Sequence, residues 1–374
     1  MNPRSRWFGA ALIVAAAAVT LSACSTGSTT TGGGGVVTQT VTQSVPPPAT
    51  SASTGVSTSS APTCAKTTKV HLSSLENDGT TWGVGMPIII YATPHPANTI
   101  EFNKGVTVTV DGQPADGAWN WSQPNSDEKK TNTFEAHYRL RNANYWPAHA
   151  DIEVNLDLAN KSAGDCLVYD GKLSSISIGT GDANISYVDA GSKTMVVTKN
   201  GKQVKTIEVS LGAAQTPTYN GVKVVMQKGE ALDPATDPEK LRPSGAVRMV
   251  GDGYDEIVNW SVRVTNSGEY IHAAPWNSHI GQLSTSNGCT NLTTADAKWF
   301  YNFSQVGDVV EYKNTDGGKM PSWDGYGDWN VPWQQWSQGG KLINRYDTTG
   351  SSGSASAPGS SSSSETPTDS AASS

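Results

Sequence analysis

Cysteine is scarce, with four in 374 residues. No two stand as Cys-x-x-Cys, and no His-x-x-x-His pair accompanies them, so the usual sequence signatures of a metal site are missing. No cofactor is implied. Basic residues are not in excess either. The formal net charge of −7 argues against a nucleic-acid partner. Long apolar runs are absent apart from Trp7 to Val19, which is short for a bilayer span. Residues 25–63 contain no Asp, Glu, Lys, Arg or His at all. A stretch of Ser, Thr, Gly, Pro, Val, Ala and Gln cannot bury enough apolar surface to fold by itself.

These absences organise the ends of the chain. Arg4, Arg6 and the apolar run form an export signal over residues 1–24. It closes on Leu21-Ser22-Ala23-Cys24, which resembles a bacterial lipobox. That resemblance implies lipidation of Cys24 and anchoring to the outer face of the cell membrane. Residues 25–63 then read as a tether, flexible at Gly32–Gly35 and stiffer at Pro46–Pro48. Residues 347–374 read as a second, Ser-rich disordered tail. About 280 residues remain between the tails, enough for two domains.

Export places the thiols outside the cytosol, where disulfides persist. With Cys24 assigned to lipid, Cys64, Cys166 and Cys289 remain, an odd number. A Cys64–Cys166 bridge would staple the two ends of the first domain, two buried free thiols being the alternative. Either way Cys289 is left over.

Residues 64–180 read as all β. Val106–Val110 alternates and ends at Asp111-Gly112, a hairpin signal. Phe134–Leu140 and Ile152–Leu158 alternate too, as strands with one buried face do. Met86–Tyr91 is more continuously apolar, and Tyr145-Trp146-Pro147 reads as a corner packed on the core. Short strands separated by Gly, Pro and Asn turns predict an immunoglobulin-like sandwich. Its four histidines, His71, His95, His137 and His149, read as ordinary surface or satisfied residues.

Residues 181–313 read as a second β-rich domain. Asn184–Asp189, Lys193–Thr198 and Gln203–Ser210 are strands, with Asn200-Gly201 turning between the last two. Val222–Met226 and Ile257–Val264 are further strands, and residues 227–253 read as one long loop of the kind that often serves as a lid. Thr293-Thr-Ala-Asp296 is a capping box, with Asp for Glu, opening the one main helix. Val309–Tyr312 closes the domain. Residues 314–346 form a Trp-rich extension, whose Trp323, Trp329, Trp333 and Trp336 read as packing rings, or as a platform for sugar rings.

His272 and Cys289 lie 17 residues apart, and Cys289 sits in a Ser-Asn-Gly-Cys turn, where a thiol is displayed. A thiol needs a base to become a thiolate near neutral pH, and imidazole is the usual one. Taken singly, a core His and a buried free Cys would be the commoner reading. The whole run argues otherwise. Tyr270-Ile-His272-Ala-Ala-Pro-Trp276, then Ser286-Asn-Gly-Cys289-Thr-Asn291, with Thr216-Pro-Thr-Tyr-Asn-Gly221 and Gly253-Tyr254 upstream, resembles the YkuD-type L,D-transpeptidases. The order of lipobox, linker, immunoglobulin-like domain and catalytic domain is similar to the mycobacterial and actinobacterial branch.

The resemblance implies an acyltransferase of the cell wall. Its partners would be peptidoglycan stem peptides, a tetrapeptide donor and a diaminopimelate acceptor, joined 3→3 with release of D-Ala. Inhibition by carbapenem-type compounds would follow. Cys289 would be the nucleophile, His272 the base, and the backbone carbonyl of Ala273 the third member of the triad. Gly288, Cys289 and Tyr254 would serve the oxyanion, while Asn291 and Trp276 would shape the site. Asn287 departs from the family pattern, which usually has His there. An amide cannot carry a positive charge, so altered reactivity or donor choice is expected, and weaker acylation by carbapenems. A silent wall-binding lipoprotein and an L,D-carboxypeptidase are the competing readings.

Overall fold

A computed structural model describes residues 64–76, 79–122, 133–141, 145–233, 237–251 and 254–340. The lipidation residue Cys24, the tether, Gly253 and the Ser-rich tail lie outside the described residues.

The first domain is a sandwich of two sheets. One runs in the order Gly117–Ser122, Phe134–Leu140, Ile88–Thr93, Thr68–Ser74, Leu167–Tyr169, Ser162–Gly164. The other runs Thr80–Trp82, Ser175–Thr180, Asp151–Leu156, Val106–Val110, Gln113–Pro114. Alternation does the sorting. In Asp151–Leu156, Ile152, Val154 and Leu156 are buried while the residues between them are not. These side chains meet Val70, Leu72, Ile88, Ile90 and Ile176 in the core between the sheets. Asp111 and Gly112 both take positive φ, 50° and 75°, closing the expected hairpin. Trp146 is buried and donates its indole N–H to the Met86 carbonyl at 2.6 Å, so Met86 and Pro87 precede the strand instead of opening it. The Cys64–Cys166 disulfide is formed, with Cα atoms 5.5 Å apart, which removes the two-thiol alternative.

The second domain packs a five-stranded sheet against a four-stranded one. The first has the order Lys202–Glu208, Thr194–Lys199, Asn184–Asp189, Val309–Lys313, Gly221–Val224. The last strand in sequence thus lies inside the sheet, parallel to Asn184–Asp189 and antiparallel to Gly221–Val224. The second sheet has the order Gln227–Lys228, Val262–Arg263, Tyr270–Ala273, Thr290–Leu292. Its Ile271, Ala273 and Leu292 share a core with Val188, Val197, Val209 and Val310. The helix Thr294–Phe303 starts as expected: Thr293 Oγ1 accepts from the Asp296 N–H at 3.1 Å, and Ala297 and Phe300 face the core.

Two expectations are corrected here. Residues 227–253 are not a single loop. They hold the short strand Gln227–Lys228, the hairpin Ala231–Asp233 with Asp237–Leu241, a 3₁₀ turn at Pro243–Gly245, and Val247–Gly251 paired with Tyr254–Val258. Pro and Gly punctuate these strands where they had suggested that there were none. The run Ile257–Val264 is two strands, because Trp260 takes a φ of 54° and breaks the ladder before Val262–Arg263.

The Trp-rich extension returns to the sandwich. Trp336 is buried and donates to the Ala118 carbonyl at 2.8 Å; Trp329 donates to the Gly85 carbonyl at 2.7 Å. The Arg139 guanidinium lies 5.5, 5.4 and 4.8 Å from the ring centres of Trp329, Trp333 and Trp336. These three rings are packing rings; Trp323 alone is largely exposed. The junction between domains is close-packed as well. A Cβ on Gly83 would come within 2.1 Å of the Asp308 backbone nitrogen, and the Gly83 N–H donates to the Val306 carbonyl. Among the described residues, no helix is long and apolar enough to cross a membrane.

Candidate active site

Cys289 ends a turn that other residues hold from outside. Gly288 has a φ of 109°, a conformation that side-chain-bearing residues rarely adopt. Its carbonyl accepts from Thr218 Oγ1 at 2.8 Å, and Thr218 Oγ1 in turn accepts from the Gly212 N–H. Thr216 Oγ1 donates to the Ser286 carbonyl at 3.0 Å and lies 3.5 Å from Asn287 Oδ1. Ser286 Oγ closes the turn on the Cys289 carbonyl. The two threonines of the Thr-Pro-Thr run are therefore clamps on the cysteine turn. The sequence by itself gives the run no such role.

His272 comes from the strand Tyr270–Ala273, beside and parallel to Thr290–Leu292, and is paired in register with Asn291. The ring is almost wholly buried. Nδ1 lies 2.9 Å from the Ala273 carbonyl. A carbonyl can only accept, so Nδ1 carries the proton and Nε2 the lone pair. Asn291 Nδ2 points at Nε2 from 3.1 Å, and Asn291 Oδ1 accepts from Asn277 Nδ2 at 3.0 Å. The chain Asn277–Asn291–His272–Ala273 thus fixes one tautomer and one ring orientation. The Trp276 ring lies 6.2 Å from the imidazole, more than half exposed.

Both chemical groups rest neutral. Burial pushes the Cys289 thiol up to about 11, against the Tyr270 backbone N–H that favours the thiolate. Burial also lowers the proton affinity of His272. The sulfur contacts the Gly268 carbonyl at 3.7 Å. Cys289, His272, Asn291, Asn287, Tyr254 and Trp276 line one cleft of about 690 Å³. Its far wall is the hairpin of Val247–Gly251 and Tyr254–Val258, which contributes Arg248, Met249 and Tyr254. Exposed His279 is also on the rim.

Residues 183–311 match the model of the L,D-transpeptidase catalytic domain, YkuD, and residues 37–162 match a bacterial Ig domain. Residues 183–311 thus form an L,D-transpeptidase catalytic domain of the YkuD type. L,D-transpeptidase 2 of Mycobacterium tuberculosis (strain CDC 1551 / Oshkosh) is 31% identical over 268 residues, covering 71% of this chain and 61% of that protein. L,D-transpeptidase 5 of M. tuberculosis (strain ATCC 25618 / H37Rv) is 27% identical over 264 residues, covering 69% and 54%. The chain therefore spans 61% and 54% of the length of these curated relatives. Among solved structures, an L,D-transpeptidase from Mycobacterium smegmatis superposes with a TM-score of 0.49 at 22% identity, over 66% of this chain and 100% of that one.

Within the YkuD domain, the residues named from sequence fall into one place, with Ala273 behind the histidine and Gly288 behind the sulfur. Sequence reading missed a buried pair underneath. Lys223 is fully buried, and its Nζ touches Glu269 Oε2 and lies 3.8 Å from the Tyr312 ring centre. Glu269 Oε1 accepts from the Tyr219 N–H at 2.8 Å. The signal was available: Val222-Lys-Val-Val puts a charge in an otherwise apolar strand.

Proposed function

We propose that this chain is a cysteine L,D-transpeptidase that forms 3→3 cross-links between peptidoglycan stem peptides. The reading is carried by one observation. A half-buried thiol, Cys289, shares a cleft with an imidazole whose Nδ1–H is committed to the Ala273 carbonyl, leaving Nε2 free of a proton.

The cleft would receive a tetrapeptide stem, with the carbonyl of the third residue at the sulfur. His272 Nε2 takes the thiol proton as Sγ attacks that carbonyl. The tetrahedral oxyanion is met by the backbone N–H groups of Gly288 and Cys289 and by the Tyr254 hydroxyl. Collapse breaks the C–N bond, and D-Ala leaves with the proton from His272. A thioester on Cys289 remains. The side-chain amine of a diaminopimelate on a second stem then attacks it, gives up a proton to His272, and forms the new amide. The thiol is restored. Water in place of the amine yields a trimmed tripeptide, the carboxypeptidase outcome.

The raised proton affinity of the resting thiol gives the base a definite task, since little thiolate forms spontaneously at neutral pH. A strained β-lactam carbonyl of the carbapenem class would acylate the same sulfur as its ring C–N bond opens, with Asn287 in place of a ring slowing that step. Lipidation at Cys24, a membrane anchor and the charge-free tether of residues 25–63 would hold the domains off the membrane and within reach of the wall. Cross-linking there would contribute to wall biogenesis and cell shape.

Incubation with a tetrapeptide stem, followed by mass spectrometry, tests the reading. An acyl adduct on Cys289, absent in Cys289→Ala, is expected, with cross-linked dimer when an acceptor stem is added. Tripeptide alone would indicate hydrolysis. No adduct with any donor stem would leave a silent wall-binding protein.

A further inference from the structure

The buried pair of Lys223 and Glu269 has no part in the chemistry above, yet it lies against the cysteine turn. Gly268 and Tyr270, on either side of Glu269, supply the two backbone contacts on the sulfur: the Gly268 carbonyl at 3.7 Å and the Tyr270 N–H. The Glu269 side chain faces the turn from below. A Cβ placed on Gly288 would sit 3.8 Å from Glu269 Cγ and 3.9 Å from its Oε1. Three further contacts hold the glutamate. Its carboxylate takes the Lys223 ammonium and the Tyr219 N–H, and its own N–H donates to Thr265 Oγ1 at 2.9 Å.

We propose that Glu269, held by Lys223, is a positioning residue for Cys289, fixing the two backbone contacts on Sγ and setting the charge the sulfur faces. The inference rests on Cys289 being the nucleophile. A charge pair taken out of water is stabilised only by good geometry and further hydrogen bonds, and apolar residues would often do as well for stability. Its place beneath a reactive thiol is what gives it a use. The carboxylate lies against the turn and opposes a charge on the sulfur, while the Lys223 ammonium acts on the sulfur in the opposite sense and more weakly, so the pair's net effect is the carboxylate's. A thiolate forming there is opposed until substrate and His272 act together.

Other groups facing the sulfur are accounted for. His272 is neutral at rest, and the Tyr270 and Tyr312 hydroxyls stay protonated because burial raises both. Asp324, fully buried, acts on both members of the pair.

The test is the pH profile of Cys289 alkylation by iodoacetamide in the full chain, which needs no stem peptide. Failure of the cross-linking reading and failure of this one are therefore separate results. The wild-type midpoint is expected above that of an ordinary thiol. In Lys223→Met/Glu269→Gln, which removes both charges and keeps an acceptor for the Tyr219 N–H, the midpoint should fall. A fall of one unit raises the rate at pH 7 about tenfold. If that variant does not fold, Lys223→Gln/Glu269→Gln keeps a hydrogen bond across the pair and should shift the same way. An unchanged or higher midpoint in a folded double variant overturns the proposal, as does a wild-type midpoint at or below that of an ordinary thiol.

Discussion

Asn291 lies opposite His272 in parallel register and directs its side-chain amide at Nε2 from 3.1 Å. Asn277 fixes which way round that amide sits by donating to its oxygen. The asparagine therefore holds the imidazole in the tautomer whose lone pair is on Nε2, and its amide must give up that lone pair before Nε2 can take the thiol proton. Asn291→Ala would leave the ring held only by the Ala273 carbonyl. A small misplacement of a catalytic group can cost on the order of 10²-fold in rate. Acyl-enzyme formation followed by time-resolved mass spectrometry should slow by about that factor, with the melting temperature little changed. Equal rates would mean that the amide does not orient the base.

Gly288→Ala separates backbone from space. The position where a Cβ would go is open to 3.8 Å, so no collision opposes the substitution. The φ of 109° does. Holding a side-chain-bearing residue in a sparsely populated backbone region costs roughly 1–3 kcal/mol. Relaxation of that strain would turn the Cys289 N–H away from the oxyanion position. Calorimetry should show a modest fall in melting temperature, and acylation should fall far more than stability does. A variant that is destabilised but fully active would remove the N–H of Cys289 from the proposed oxyanion site.

Much of this architecture was legible in the residues because it depends on local pattern. Alternation marked Val106–Val110 and Phe134–Leu140 to the residue, and the Thr293 cap marked the helix. The chemistry-bearing residues were legible because they cluster in short motifs. What escaped reading was set by distant contacts. Val309–Lys313 pairs with strands more than eighty residues away, so nothing local shows that it lies inside the sheet. Residues 227–253 hide paired strands, such as Val247–Gly251, among Pro, Asp and Gly. The Lys223–Glu269 pair joins residues 46 positions apart, and sequence shows only two unconnected charges.

The disulfide should govern the first domain and leave the thiol chemistry alone. Cys64 and Cys166 are 102 residues apart, and the bond ties the entry to the strand Thr68–Ser74 to the turn before Leu167–Tyr169. A cross-link closing a loop of that length stabilises by up to about 4–5 kcal/mol in the chain-entropy account. Cys64→Ser/Cys166→Ser should lower the melting temperature of the sandwich by several degrees. The alkylation rate of Cys289 at 25 °C should stay within about twofold of wild type, since the site lies in the other domain. A large change in that rate would show coupling between sandwich and cleft.

His137 provides a pH-dependent hold on the extension. It is buried, with Nδ1 3.0 Å from Asp328 Oδ2 and Nε2 3.1 Å from Glu135 Oε2. Burial alone would lower its proton affinity; the Asp328 and Glu135 carboxylates outweigh it and push the imidazolium up to about 10. Burial raises Glu76 to about 7, and the charge on His137 in turn holds it down. In the unfolded chain His137 returns to about 6.5. Its contribution to stability is therefore full below about pH 6.5 and is lost as pH rises toward 10. His137→Gln should destabilise the protein strongly at pH 6 and much less at pH 10. Chemical denaturation of both proteins across that range measures the difference, and taking the difference cancels groups that titrate equally in the two. A gap that does not narrow with pH would mean that the histidine is neutral in the folded protein and that Asp328 holds the extension by hydrogen bonding alone.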